Sequence, residues 1–394
     1  MQRAYARYLF ENRLNLNIMN FTVSSSQLSS RLQTISRVIN SKNSISVLDC
    51  ILFELQGNTL TLTASDPDNT LNTSFEVIDC SEDFSFAISA KILIDSLKEI
   101  SEQPLRFEVN KNTLEVTIYY LNGKYSMVAQ NADEYPSAAV LGEGAVAIEV
   151  PTKVLSSGIS CSLFATADDE VRPVMCGVYF DFTPESITIV ASDGHKLVRC
   201  RDYSVTGAEK SAFILPKKPA TLLKNLLGKD EQEVVGVEFD GRFAIFTMGD
   251  YKLVCRLFDG RYPNYNSVIP QNNPHKLTVD RAALISTLRR VAIFSSQAKA
   301  SLIKLHLEDN KVVISAQDTD FSTSAEESIA CAYEGASMNI GFRASFLIDI
   351  LNNLPGQDVV IELADPSRAG VIVPAEQIEQ QELLMLLMPM MLTE

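Results

Sequence analysis

The chain has 394 residues, a formal net charge of −15 and a hydrophobic fraction of 46%. That length suits two or three domains rather than one, and the apolar content is enough for real cores, which excludes an intrinsically disordered chain. No run approaches the roughly 18 consecutive apolar residues of a membrane helix, and the overall acidity argues against nucleic-acid binding until the charge is located along the chain.

Taken in order, Met1–Ile18 looks foreign to the rest of the chain, carrying Arg3, Arg7 and Arg13 with Glu11 as its one acid. A transit peptide and an upstream start are the two readings; the second is favoured, with an N-terminal extension at 1–18, read as disordered, and the domain proper beginning at Met19. A helix is expected over 24–40, where Leu28, Leu32, Ile35 and Ile39 recur at spacings of three and four. A strand over Leu60–Ser65 ends in the polar turn at Asp66. Phe86–Lys91 runs into a helix over 89–101, and Leu114–Tyr120 followed by Asn122-Gly123 reads as a hairpin. A helix over 151–167, a strand over Ile187–Ser192 ending at Asp193, and Phe213–Lys218 leading into a helix over 216–228 come next. The last stretch repeats the order, with a helix over 279–298, a strand over Val312–Gln317 ending at Asp318, and Ile340–Arg343 entering a helix over 342–354.

These elements form three copies of one unit. Phe86 and Phe213 lie 127 residues apart, as do Phe213 and Ile340; Asp66 and Asp193 also differ by 127, Asp193 and Asp318 by 125, and Glu134-Tyr135-Pro136 and Arg261-Tyr262-Pro263 by 127. So long a period makes each copy a domain rather than a solenoid repeat. Two helices backed by antiparallel strand in each copy is an α+β layer architecture.

The predicted helices carry twelve basic residues (Arg31, Arg37, Lys91, Lys98, Lys153, Lys217, Lys218, Lys224, Arg281, Arg289, Arg290, Arg343) and four acidic ones (Asp95, Glu99, Asp280, Asp349), a net of +8 that leaves −23 on the rest. Any one such helix is an ordinary solvated face. Segregation across six points instead to a basic surface that attracts duplex DNA through its phosphates without reading sequence.

The stretches Ala191–Leu197, Asp259–Tyr265 and Leu387–Leu392, with the opening Met19–Val23, resemble the bacterial replicative sliding clamp, the beta subunit of DNA polymerase III, from Met19 to Leu392. The resemblance implies domains at 19–143, 144–272 and 273–394, closed head to tail by a homodimer into a six-domain ring lined by helices. It implies contacts of Tyr125 and Met127 with the partner chain's Ile293 and Phe294, for which core burial is the other reading. Lys42, Arg172, Lys217 and Lys218 are the expected DNA contacts. A hydrophobic pocket for short peptides is expected at Met175, Gly194, His195, Lys196, Leu197, Pro263, Val268, Arg343, Phe346, Met388, Pro389 and Met390. The Leu/Met tail also reads as a buried terminal strand. Duplex DNA, the polymerase catalytic subunit, the clamp loader and repair polymerases are the implied partners; no membrane and no cofactor are. Ser267, Arg343 and Met391 depart from the family pattern, Thr393 and Glu394 extend past its usual end, and Glu376–Glu382 reads as a long acidic loop.

The competing class is an enzyme. No GxSxG, P-loop, HExxH or spaced Cys/His cluster occurs, and Gly142-Glu143-Gly144 lacks the rest of a phosphate loop. His195 after its Asp-Gly turn and the pair Asp168-Asp169 are the only candidates, and each reads more simply as a binding-pocket residue and as solvated acids. Three histidines (His195, His275, His306) and seven scattered cysteines (Cys50, Cys80, Cys161, Cys176, Cys200, Cys255, Cys331) with no CxxC pair give neither a metal site nor a disulfide framework and suit a reducing, cytoplasmic setting. A protein-only scaffold is the third reading.

Overall fold

The computed structural model describes residues 17–392 apart from 170, 229–232, 296–300 and 319. The expected extension therefore lies outside the described residues except at its end. There the strand Ile18–Ser24 already pairs, Ile18 opposite Asn110, so among the described residues paired strand begins one residue before Met19.

One pattern recurs six times: a strand, a helix, then three antiparallel strands. The helices are α1 (Ser25–Ile35), α2 (Ala90–Lys98), α3 (Thr152–Ser162), α4 (Lys217–Leu227), α5 (Arg281–Ala292) and α6 (Ala344–Asn353). Each sequence copy thus contains the pattern twice. All six expected helices form, but shorter than their periodicity suggests. Side chains start two of them: Ser24 Oγ accepts from the Gln27 N–H at 3.2 Å and Asp280 Oδ1 from the Ala283 N–H at 2.6 Å. α1 and α3 give way to 3₁₀ turns at Ser36–Val38 and Leu163–Ala165, which use up the remaining apolar periodicity. Residues 296–298 of the expected fifth helix lie outside the described residues.

The chain packs into two compact units, one of residues up to 149 with 225–256, the other of 150–224 with 257–394. The first holds a four-stranded sheet in the order Ile18–Ser24, Pro104–Asn110, Glu115–Tyr120, Gly123–Val128, and a larger sheet in which Tyr251–Arg256 pairs with Asn69–Glu76. The second holds a nine-stranded sheet in which Lys196–Asp202 pairs with Gln381–Leu387, and a four-stranded sheet ending on Thr323–Ala330. The unit boundary cuts through the middle copy because each half of that copy shares a continuous sheet with a neighbouring copy.

The repeat is visible in the core. Phe53 and Phe86 face each other across paired strands with ring centroids 5.1 Å apart; Phe180 and Phe213, each 127 residues on, do the same at 4.7 Å. In the third copy Leu305 and Ile340 occupy the matching cross-strand position. The three polar turns also recur. Asp66 Oδ1 accepts from the N–H groups of Asp68 and Asn69, Asp193 Oδ1 from those of His195 and Lys196, and Asp318 Oδ1 from those of Asp320 and Phe321. Such Asx turns end a strand without leaving its N–H groups unpaired. α3 lies so close to its sheet that a Cβ on Gly158 would sit 2.3 Å from Ile189 Cδ1.

Candidate functional site

The turn at Asp193 builds the wall of a cavity in the second unit. Gly194 takes φ of +90°, a region open to glycine. Ser192 Oγ donates to the Lys196 carbonyl at 2.9 Å, and Asp193 Oδ2 holds Lys196 Nζ at 2.5 Å. The terminal strand Gln381–Leu387 runs alongside, Lys196 opposite Leu387, and the Met388 N–H then donates to the His195 carbonyl at 2.8 Å. Both readings of the tail hold. Residues 383, 385, 386 and 387 are buried strand, whereas Met388 is 43% exposed at the cavity mouth. The acidic loop is shorter than expected, since Gln381 and Glu382 belong to the strand and Glu382 ion-pairs with Arg199 and Arg201.

The cavity, of about 270 Å³, is lined by Met175, Ser192, Gly194, His195, Lys196, Leu197, Tyr262, Pro263, Asn264, Tyr265, Val268, Leu386 and Met388. Eight of these are expected pocket residues. Arg343 and Phe346 stand beside it: Lys196 Nζ and Arg343 Cζ lie 4.1 and 4.5 Å from the Phe346 ring centroid, and the His195 ring lies 6.0 Å from it. Pro389 and Met390 continue the tail away from the lining, Met390 bridging to Gly341. Sequence reasoning missed Ser192, Tyr262, Asn264, Tyr265 and Leu386. The tyrosines form the floor: Tyr179 stacks on Tyr262 at 4.7 Å and 5°, and the Tyr265 hydroxyl donates to Asp181 Oδ2 at 3.1 Å. Burial pushes the Tyr179 phenol up to about 12 and Tyr262 higher still, so both stay neutral. An apolar floor, a methionine mouth and a few convergent polar groups suit a short apolar peptide rather than a reacting substrate. Among the described residues the His195 ring makes no hydrogen bond and no group of three or more metal-binding side chains gathers.

Within its observed bounds the helix set carries ten basic and two acidic residues, again +8. Several of those charges are committed. Arg31 donates to Thr73 and Asp250 and lies against the rings of Phe75 and Tyr251; Arg281 donates to the carbonyls of Leu351 and Gly356; Arg290 pairs with Glu327. Lys91 and Lys153 are exposed. Of the expected DNA contacts, Lys42 and Arg172 are exposed, and Lys217 and Lys218 half-buried. Lys217 Nζ holds Asp168 at 2.5 Å, and that contact keeps the Asp168 carboxyl below its usual range. Arg172 donates to the Asp193 carbonyl at 3.3 Å, against the pocket turn.

The four expected interface residues stand apart from the cores. Tyr125 and Met127 are half-exposed on Gly123–Val128, which edges its sheet, and Ile293 is 78% exposed after α5. Phe294 comes next, also at the surface. Thr323–Ala330 edges the last sheet. Open edges of this kind are templates for pairing with another chain.

Three consecutive domains of one repeated architecture, with basic helices and an apolar pocket beside the chain's end, define a DNA clamp. Profiles of the DNA polymerase III beta subunit match in order, the N-terminal domain at residues 19–139, the central domain at 149–264 and the C-terminal domain at 266–391. The chain belongs to that family, the sliding clamps, which are non-catalytic processivity factors. The beta sliding clamp of Synechococcus elongatus is 26% identical over 90% of this chain and 96% of its own length; that of Haemophilus influenzae is 26% identical over 95% and 100%. The crystal structure of the Pseudomonas aeruginosa clamp bound to griselimycin superposes with a TM-score of 0.89 at 25% identity, covering 95% of this chain and all of that one. Among the described residues no helix is long and apolar enough to cross a membrane.

Proposed function

We propose that two copies of this chain close head to tail around duplex DNA and carry a polymerase along it. The domains run 19–143, 144–272 and 273–394. Tyr125 and Met127 of one copy meet Ile293 and Phe294 of the other, joining the open strand edges. Lys42, Arg172, Lys217 and Lys218 attract phosphates weakly, so the duplex is centred and the ring still slides. The cavity at Met388 takes apolar peptides from the polymerase III catalytic subunit, the clamp loader and repair polymerases in the cytoplasm, and nucleotidyl transfer belongs to those partners. Pro389, Met390, Arg343 and Phe346 complete its rim.

The observation that carries the reading is the pair of open edges at the ends of the repeat, each beside exposed apolar residues that a monomer gains nothing by exposing. Sedimentation velocity tests it. The wild-type chain should run at the mass of two copies, and Ile293→Asp with Phe294→Asp should run at the mass of one. A double variant that stays dimeric would sink the assignment of this surface.

A further inference from the structure

Two guanidinium groups border the apolar cavity. Arg172, exposed, meets the Asp193 carbonyl, and Arg343, half-exposed at the start of α6, meets the face of Phe346. Neither makes an ion pair among the described residues, in a chain whose net charge is −15. The cation between them is already committed: Lys196 is almost fully buried and held by Asp193 at 2.5 Å. Asp349, one turn along α6 from Phe346, is a further carboxylate near Lys196; burial raises its pKa and the Lys196 charge opposes that shift.

We propose that Arg343 reads a carboxylate on the bound peptide, so that the pocket selects apolar peptides with acidic flanks over neutral ones. The inference rests on the pocket reading above and names the class of peptide it takes. A guanidinium presents a planar fork that matches a carboxylate, which a buried and paired ammonium cannot do. Its contact with Phe346, 4.5 Å from the ring centroid, holds the fork in place before the peptide arrives and lowers the entropy lost on binding. The apolar anchor fills the cavity, and the acidic flank meets Arg343, which makes no ion pair among the described residues. At a site open to water the preference is modest and erodes with salt.

The test uses the full-length dimer and two dye-labelled peptides sharing an apolar anchor of leucine and phenylalanine, flanked on both sides by glutamates in one and glutamines in the other. Fluorescence anisotropy should show the glutamate peptide binding about fivefold tighter at low salt, the upper end for an exposed pair. Arg343→Gln should abolish the preference, so that the variant binds the two peptides equally, and measurable binding of both shows that the pocket still forms. Arg343→Lys should keep part of it. Equal binding of the two peptides by the wild type overturns the inference and leaves the pocket reading standing. A preference that survives Arg343→Gln and vanishes in Arg172→Gln overturns the assignment to Arg343. Failure of the wild type to bind either peptide overturns the pocket reading itself, and the inference with it.

Discussion

The Met388 N–H donates to the carbonyl oxygen of His195 at 2.8 Å, tying the chain's last strand to the turn that walls the cavity. One hydrogen bond therefore registers the methionine mouth against the glycine turn, and the pocket exists only because residues almost two hundred positions apart pair as neighbouring strands. Met388→Ala should weaken binding of an apolar peptide about tenfold, as for a central apolar anchor, with little change in thermal midpoint, since the strand pairing ends at Leu387. Isothermal titration measures it; unchanged affinity would remove Met388 from the site.

Gly158 is the point of closest approach between α3 and its sheet. Ile189 is fully buried, so its Cδ1 has no empty space to move into when a Cβ arrives 2.3 Å away. Gly158→Ala should destabilise by about 1–3 kcal/mol through overpacking, read as a lower midpoint in urea. Adding Ile189→Val removes the clashing methyl and should recover part of the loss, a coupling expected only of residues in contact. Additive effects would mean the two do not touch.

Much of this fold was legible in the sequence. The period of 127 identified the copies because Phe86 and Phe213, and Asp66 and Asp193, carry the same physical duty at the same spacing, and Tyr135 and Tyr262 are both buried there. The half-period went unseen because the two halves of a copy share a pattern of strand and helix but no residue motif. The pocket was half legible. Tyr262 and Tyr265 lie in the same short stretch as Pro263, and their flanking of that proline, together with the match of Tyr262 to buried Tyr135, was the available signal. Arg31 was counted with the basic face because its partner Asp250 lies 219 positions away, beyond the reach of any local pattern.

On the proposed DNA surface, Lys217 would offer phosphates less than its full charge while Asp168 holds it. Asp168→Asn should raise affinity for short duplex DNA at low salt and steepen the salt dependence by about 0.9 in log–log slope, the release of one further counterion. The pH dependence has a definite sign. The lowered Asp168 pKa keeps the pair intact above the ordinary carboxylate value, and it is lost only as pH falls through that lowered value. An Asp168→Asn variant with an unaltered slope would exclude Lys217 from the DNA surface.

The thiols should divide by burial. Burial pushes Cys50 up to about 11 and Cys200 up to about 12, and Cys255 is wholly enclosed, so at neutral pH these three lack the thiolate that reacts. Native protein treated with a disulfide reagent should modify Cys80, Cys161, Cys176 and Cys331 ahead of them, and denaturation should release the remainder. Early labelling of Cys255, followed by mass spectrometry, would contradict the packing described.

A closed ring holds DNA topologically, and one measurement reads that directly: retention on nicked circular DNA after addition of a matched clamp loader and ATP, before and after linearisation. A closed ring predicts protein that stays on the circle through high salt, where phosphate contacts are screened, and runs off once the circle is cut. Loss from circle and linear DNA alike at the same salt would mean ordinary electrostatic binding and would contradict the account.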